Sequence, residues 1–158
     1  MKKQPLKWIK EFFTLVKMLF KRINKNDAVT VKMMEHFPFK GYSAMMWCGT
    51  IIVREEYAQF VDSLCLNHER IHLEQAKIKG SWIRYYIAYL WNWAKHNPFA
   101  PSSYYLNKYE GEAYANEHKD SYFMNYDGSN LDKYDLGRKY WRLYPSATQY
   151  KNYIKTIL

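Results

Sequence analysis

A chain of 158 residues that is 48% hydrophobic and 19% aromatic is long enough for one domain with a real core and too apolar to be disordered. Its two cysteines, Cys48 and Cys65, cannot make a disulfide framework, so the expectation is a reducing, cytoplasmic setting with both thiols buried. Residues 1–40 hold ten Lys and Arg against Glu11, Asp27 and Glu35, so +7 of the formal +9 belongs to the N-terminal arm. A nucleic-acid binder more often spreads its charge along a face of the main fold, and no nucleic-acid partner is expected.

Residues 1–26 read as a basic amphipathic helix: Trp8, Phe12, Leu15, Val16, Leu19, Phe20 and Ile23 recur at helical spacing between lysines. Lys10, Glu11 and Lys17 interrupt any apolar run, which excludes a signal peptide or a membrane span. Such a helix can lie on an anionic membrane, so peripheral contact at the inner membrane surface is one expectation and a packing helix with snorkelling lysines the other.

From residue 27 on, a single domain is expected. "KNDAVTVKMMEHFPFKGYS" predicts a short strand and a Pro/Gly loop, and "AMMWCGTIIVRE" one strand rich in β-branched and aromatic residues. "EEYAQFVDSLCLNHERIHLEQAKIKG" turns to helical period, with Tyr57, Val61, Leu64, Cys65, His68, Ile71, His72 and Gln75 on one face. Gly80 ends this helix and Ser81 is placed to cap the next, "SWIRYYIAYLWNWAKH", whose aromatics all round predict a buried or groove-lining helix. After the loop "NPFAPSS", residues 104–126 read as one helix despite Gly111, and the tail as two short helices broken at Pro145. The fold class is α+β and predominantly helical.

One stretch carries chemistry. His68-Glu69-Arg70-Ile71-His72 is an HExxH pattern on a predicted helix. Residues four apart stand one above the other, so both imidazoles can reach one ion at about 2.0–2.1 Å. Glu69 sits roughly 100° around from His68, near such an ion without ligating it. From there a carboxylate can take a proton from an activated water and return it to the leaving amine. The histidines fall on the apolar stripe, where idle imidazoles would be costly. A third ligand must come from elsewhere, and "YEGEAYANEH" offers Glu110, Glu112 and Glu117.

HExxH followed by a helical E-x-x-A resembles the gluzincins, the glutamate-type branch of the zincin metallopeptidases. Glu110-Gly111-Glu112-Ala113-Tyr114 matches with Glu110 heading the run and Ala113 as the small residue that lets two helices approach. The resemblance implies a zincin-like domain over residues 27–158: an active-site helix beside a small sheet with an edge strand, and a second helix bearing the third ligand. It implies Zn2+ held by His68, His72 and Glu110, Glu69 as general base, and a peptide or protein substrate paired against the strand in residues 45–55. Glu112, about 200° around the helix from Glu110, is the less favoured ligand. Tyr114 departs from the pattern, because those branches usually carry an Asp or Asn there to orient a histidine. For an oxyanion donor the candidates are Tyr114, His118, Tyr122 and Arg142, with His118, two turns beyond Glu110, slightly favoured, and Glu112 is a further outer-sphere candidate. Cys65, one turn before His68, reads as a core thiol. The second functional expectation is a zincin-like scaffold without turnover that binds a membrane surface or a protein.

Overall fold

The structure, a computed structural model, describes residues 4–24, 26, 28–100, 102–137, 142–143 and 146–157. Helix α1 spans Gln4–Met18 and strand β1 Thr30–Met34; β2 (Ala44–Trp47) and β3 (Thr50–Arg54) follow. A 3-10 turn, Glu55–Phe60, leads into α2 (Ser63–Lys79), α3 (Trp82–Ala94), α4 (Ser102–Leu106) and α5 (Lys108–Asn116). Two more 3-10 segments, Tyr122–Asn125 and Leu131–Tyr134, precede α6 (Ala147–Ile154). The architecture is α+β with a small mixed sheet, as the pattern predicts.

The stretch expected as one strand is a hairpin. Cys48 at φ 49° and Gly49 at φ 84° both take the left-handed region, the requirement of a two-residue type I′ turn whose twist suits the flanking strands. The sheet order is therefore β1-β3-β2, with β1 parallel and β2 antiparallel to the central strand. All five residues of β3 are buried, because helices cover both of its faces. Ile51 and Val53 join Ala44, Met46, Leu73, Ala76 and Tyr85 in one cluster, whereas Ile52 faces Leu15, Met34 and Phe37 in another. The period-2 alternation of β3 thus holds α2 and α3 on the front and α1 on the back.

The segment predicted as a single helix over 55–80 is interrupted at Val61 and Asp62. Asp62 takes extended geometry and its carboxylate accepts from the Cys65 amide, so α2 starts there. Gly80, left-handed at φ 67°, ends α2, as its position in the sequence predicts. Ser81 occupies the cap position of α3 without a side-chain capping bond. Helix α3 buries Trp82, Tyr85 and Asn92, while Ile83, Ile87, Leu90 and Trp91 remain exposed, so it is not buried all round. The predicted helix 104–126 is also divided: Asn107 caps α5 by accepting from the Tyr109 amide. The expected break at Pro145 falls outside the described residues. Among the described residues no helix is long and apolar enough to cross a membrane.

Candidate metal centre

Two helices bring the chemistry together. Helix α2 carries His68 and His72 one turn apart on its buried side, and α5 carries Glu110 in its first turn. On its other side α5 packs closely against the 3-10 segment Leu131–Tyr134, where a Cβ on Gly111 would stand 3.3 Å from the Cβ of Tyr134, and Ala113 is fully buried. Asparagines fasten the frame, with Asn92 accepting from the Lys108 amide at 2.7 Å and Asn107 donating to the Tyr89 carbonyl at 3.2 Å.

The ligand atoms form a small triangle. Nε2 of His68 and Nε2 of His72 are 3.1 Å apart. Glu110 Oε2 lies 3.2 Å from the first and Oε1 3.3 Å from the second. Donors on a tetrahedral ion with bonds of about 2.0–2.1 Å stand about 3.3 Å from one another, and each of these separations is close to that edge, the two to Glu110 being made by different oxygens of its carboxylate. His68, His72 and Glu110 could hold a metal ion.

Hydrogen bonds on the far side of each ring fix its tautomer. Gln75 donates its amide N–H groups to the Tyr109 carbonyl and to Glu112, which leaves its Oε1 facing His72 Nδ1 at 2.8 Å. That oxygen can only accept, so His72 Nδ1 bears the hydrogen. Glu117 accepts from His68 Nδ1 at 3.1 Å in the same way. In the neutral rings both Nε2 atoms then turn lone pairs toward each other and toward a carboxylate. Such an arrangement is repulsive without a cation or a proton between them.

Toward protons the cluster is strongly basic. Burial alone would lower His68, yet its hydrogen bonds to Glu110 and Glu117 prevail and raise it to about 10. His72 is raised as well, Glu110 outweighing burial. Burial pushes Glu110 up, but the two imidazoles hold it well below the usual carboxylate range. A binding ion therefore competes with a proton.

Tyrosines of α3 close the back of the centre. Tyr89 donates to Glu110 Oε1 at 2.6 Å, and Tyr85 donates to Gln75 Oε1 at 3.3 Å with its oxygen 3.2 Å from His72 Nδ1. The open side faces a cleft of about 760 Å³ lined by His68, Glu69, Ala44, Tyr104, Tyr114 and Lys151 among others. Glu69 is buried and its carboxyl is raised, chiefly by that burial, although the Met46 amide of β2 hydrogen-bonds it. The Met46 carbonyl accepts from Tyr86 at 3.3 Å, while the Ser43 carbonyl accepts from Arg54 of β3. In an antiparallel ladder the outward residues alternate, so Ala44, like Met46, turns its N–H and C=O to the free edge beside the cleft.

The remaining sequence candidates separate. Glu112 faces away from the triangle and accepts from Gln75 at 2.8 Å, Tyr126 at 2.7 Å and Tyr122 at 3.1 Å. Tyr122 is thereby engaged with Glu112. Tyr114 packs its ring 4.4 Å from that of His68 and donates to Tyr104, so an aromatic contact occupies the place expected for an orienting acid. His118 and Arg142 are exposed and do not line the cleft. Cys65 lines the cleft, half-buried, its thiol pushed up to about 11 by burial. The orienting groups that sequence reasoning did not assign are Gln75, Glu117, Tyr85 and Tyr89. Their spacing holds the signal: Gln75 is one turn past His72, and Glu117 two turns past Glu110. No family model, curated protein or solved structure matches the chain.

Proposed function

We propose that the protein is a zinc metallopeptidase of the zincin type, hydrolysing peptide bonds in the cleft between β2 and α5. The observation that supports this best is the buried His68-His72-Glu110 group, its ligand atoms within 4.8 Å of one another, with Glu69 beside it at the cleft wall. Two nitrogens and one carboxylate oxygen form the donor set of a catalytic zinc site that keeps one position open. Zinc bound there would supply Lewis-acid polarisation of a water and of the scissile carbonyl. Glu69 takes the proton of the attacking water and delivers it to the leaving amine, and the burial that raises its carboxyl favours that exchange near neutral pH. The Ala44 N–H and C=O on the free edge of β2 pair with an extended peptide and hold its backbone across the site. Gln75 and Glu117 keep the two imidazoles turned toward the ion.

Replacing Glu69 with Gln tests the reading. Bound zinc should stay at the wild-type level while hydrolysis of a quenched-fluorescent peptide mixture falls about 10²–10⁴-fold. Wild-type activity in Glu69→Gln would remove the general base from the scheme. A zinc-loaded wild-type protein that cleaves no peptide would remove the peptidase.

A further inference from the structure

Helix α1 is docked by one side only. Leu15 is buried against the back of the sheet, and its carbonyl accepts from the Trp47 indole at 2.8 Å. Glu11, on the same side, accepts from the Glu35 and His36 amides at 3.1 Å each. At 100° per residue Leu6, Ile9 and Phe13 lie across the helix from Leu15. They are 63%, 41% and 57% exposed, and Phe20, just past the helix end, is 79% exposed. Lys10 and Lys17 fall on this outer side and are exposed too. Glu11, the lone acid of α1, is turned inward. Beside this face Trp8 stacks with Phe12 and Phe37, and the exposed Phe39 meets Phe37 edge-on.

A helix whose inner face already satisfies the core does not need a second apolar stripe for folding. Large exposed apolar patches mark contact surfaces. The charge pattern selects the occupant. A second copy would set Lys10 and Lys17 against the same lysines with no acid to answer them. An anionic lipid surface accepts the ammonium groups at the headgroups and the Phe, Ile and Leu side chains among the acyl chains just below. We propose that the outer face of α1 seats the protein on an anionic membrane, with the helix lying in the interface plane. At about 1.5 Å per residue its 15 residues make a rod of about 22 Å, long enough for a stable footing in the plane and too short to cross. This inference does not rest on the metal-site reading.

The test is co-sedimentation of the whole chain with phosphatidylcholine vesicles that contain or lack phosphatidylglycerol, at low and high salt. The expected result is partitioning at least about tenfold stronger onto the anionic vesicles, weakened by salt. Ile9→Ser with Phe13→Ser, and separately Lys10→Glu with Lys17→Glu, should each lower it about tenfold while far-ultraviolet circular dichroism stays unchanged. Absence of wild-type partitioning at low salt, or partitioning untouched by both double variants, would overturn the proposal. Self-association without vesicles that the Ile9→Ser, Phe13→Ser pair abolishes would assign the face to a second copy instead.

Discussion

Glu110 and Glu112 stand two residues apart on α5, and both are buried, yet they belong to different chemistry. Glu110 accepts from Tyr89 and otherwise meets the Nε2 atoms of two imidazoles, whose Nδ1 sides are held by Glu117 and Gln75. Glu112 meets one amide and two phenols, all of them donors. Two residues of helix turn them to opposite sides, and the partners on each side decide the role. A buried carboxylate ringed by donors is satisfied and serves the frame; one set against two imidazole nitrogens shares a proton or a cation with them. The two sides are joined through Gln75, whose amide bonds Glu112 and whose oxygen holds His72.

Exchanging the two carboxylates in turn breaks the comparison most sharply. Glu110→Ala is expected to lower zinc affinity more than about 100-fold, since partners outside the ligand set are alone worth about 10–100-fold. Glu112→Gln is expected to leave affinity within about tenfold and to cost about 1–3 kcal/mol of folding stability, because its amide hydrogens would face the Gln75 amide and the phenols. Competition titration with a zinc indicator and chemical denaturation read the two quantities, and equal loss of zinc in both variants would erase the distinction.

Gln75→Leu sharpens it by cutting the link. His72 then lacks the acceptor that holds its tautomer, and zinc affinity should fall about 10–100-fold with the ligands themselves intact. A pH effect follows with a defined sign. His68, raised to about 10, is protonated at neutral pH and must lose that proton to ligate. Zinc loading at neutral pH should therefore release at least one proton, and affinity should rise about tenfold per pH unit until His68 deprotonates on its own. Calorimetry in buffers of different ionisation enthalpy counts the protons, and a count of zero would place the ion elsewhere.

Spacing along one helix was the most legible feature of the chain. His68 and His72 must share a face if this stretch is helical, and Gly80 was legible as its end, whereas the start at Asp62 was hidden inside a pattern that reads as helical from residue 55. Glu110 was legible through the E-x-x-A run, in which Ala113 announces close packing by its size, whereas Gly111 read only as a helix weakener until the structure set it against Tyr134. Gln75 and Glu117 were visible as residues but not as partners, since their roles arise only when α2 meets α5. The hairpin was hidden because Cys48, a residue with no preference for positive φ, takes the first turn position and leaves Gly49 alone to signal it. The stripe legible in α1, with Trp8, Phe12, Leu15 and Leu19, centres on the docked Leu15 side, whereas the outer Leu6, Ile9 and Phe13 were not singled out as a second one.

X-ray absorption at the zinc edge of the reconstituted protein tests the central claim most directly. The expected spectrum has two imidazole nitrogens and carboxylate or water oxygens at about 2.0–2.2 Å, at about one zinc per chain. His72→Ala should lose one imidazole contribution. A sulfur scatterer near about 2.3 Å, placing Cys65 on the ion, or an imidazole count unchanged in His72→Ala, would contradict the assignment of His68, His72 and Glu110.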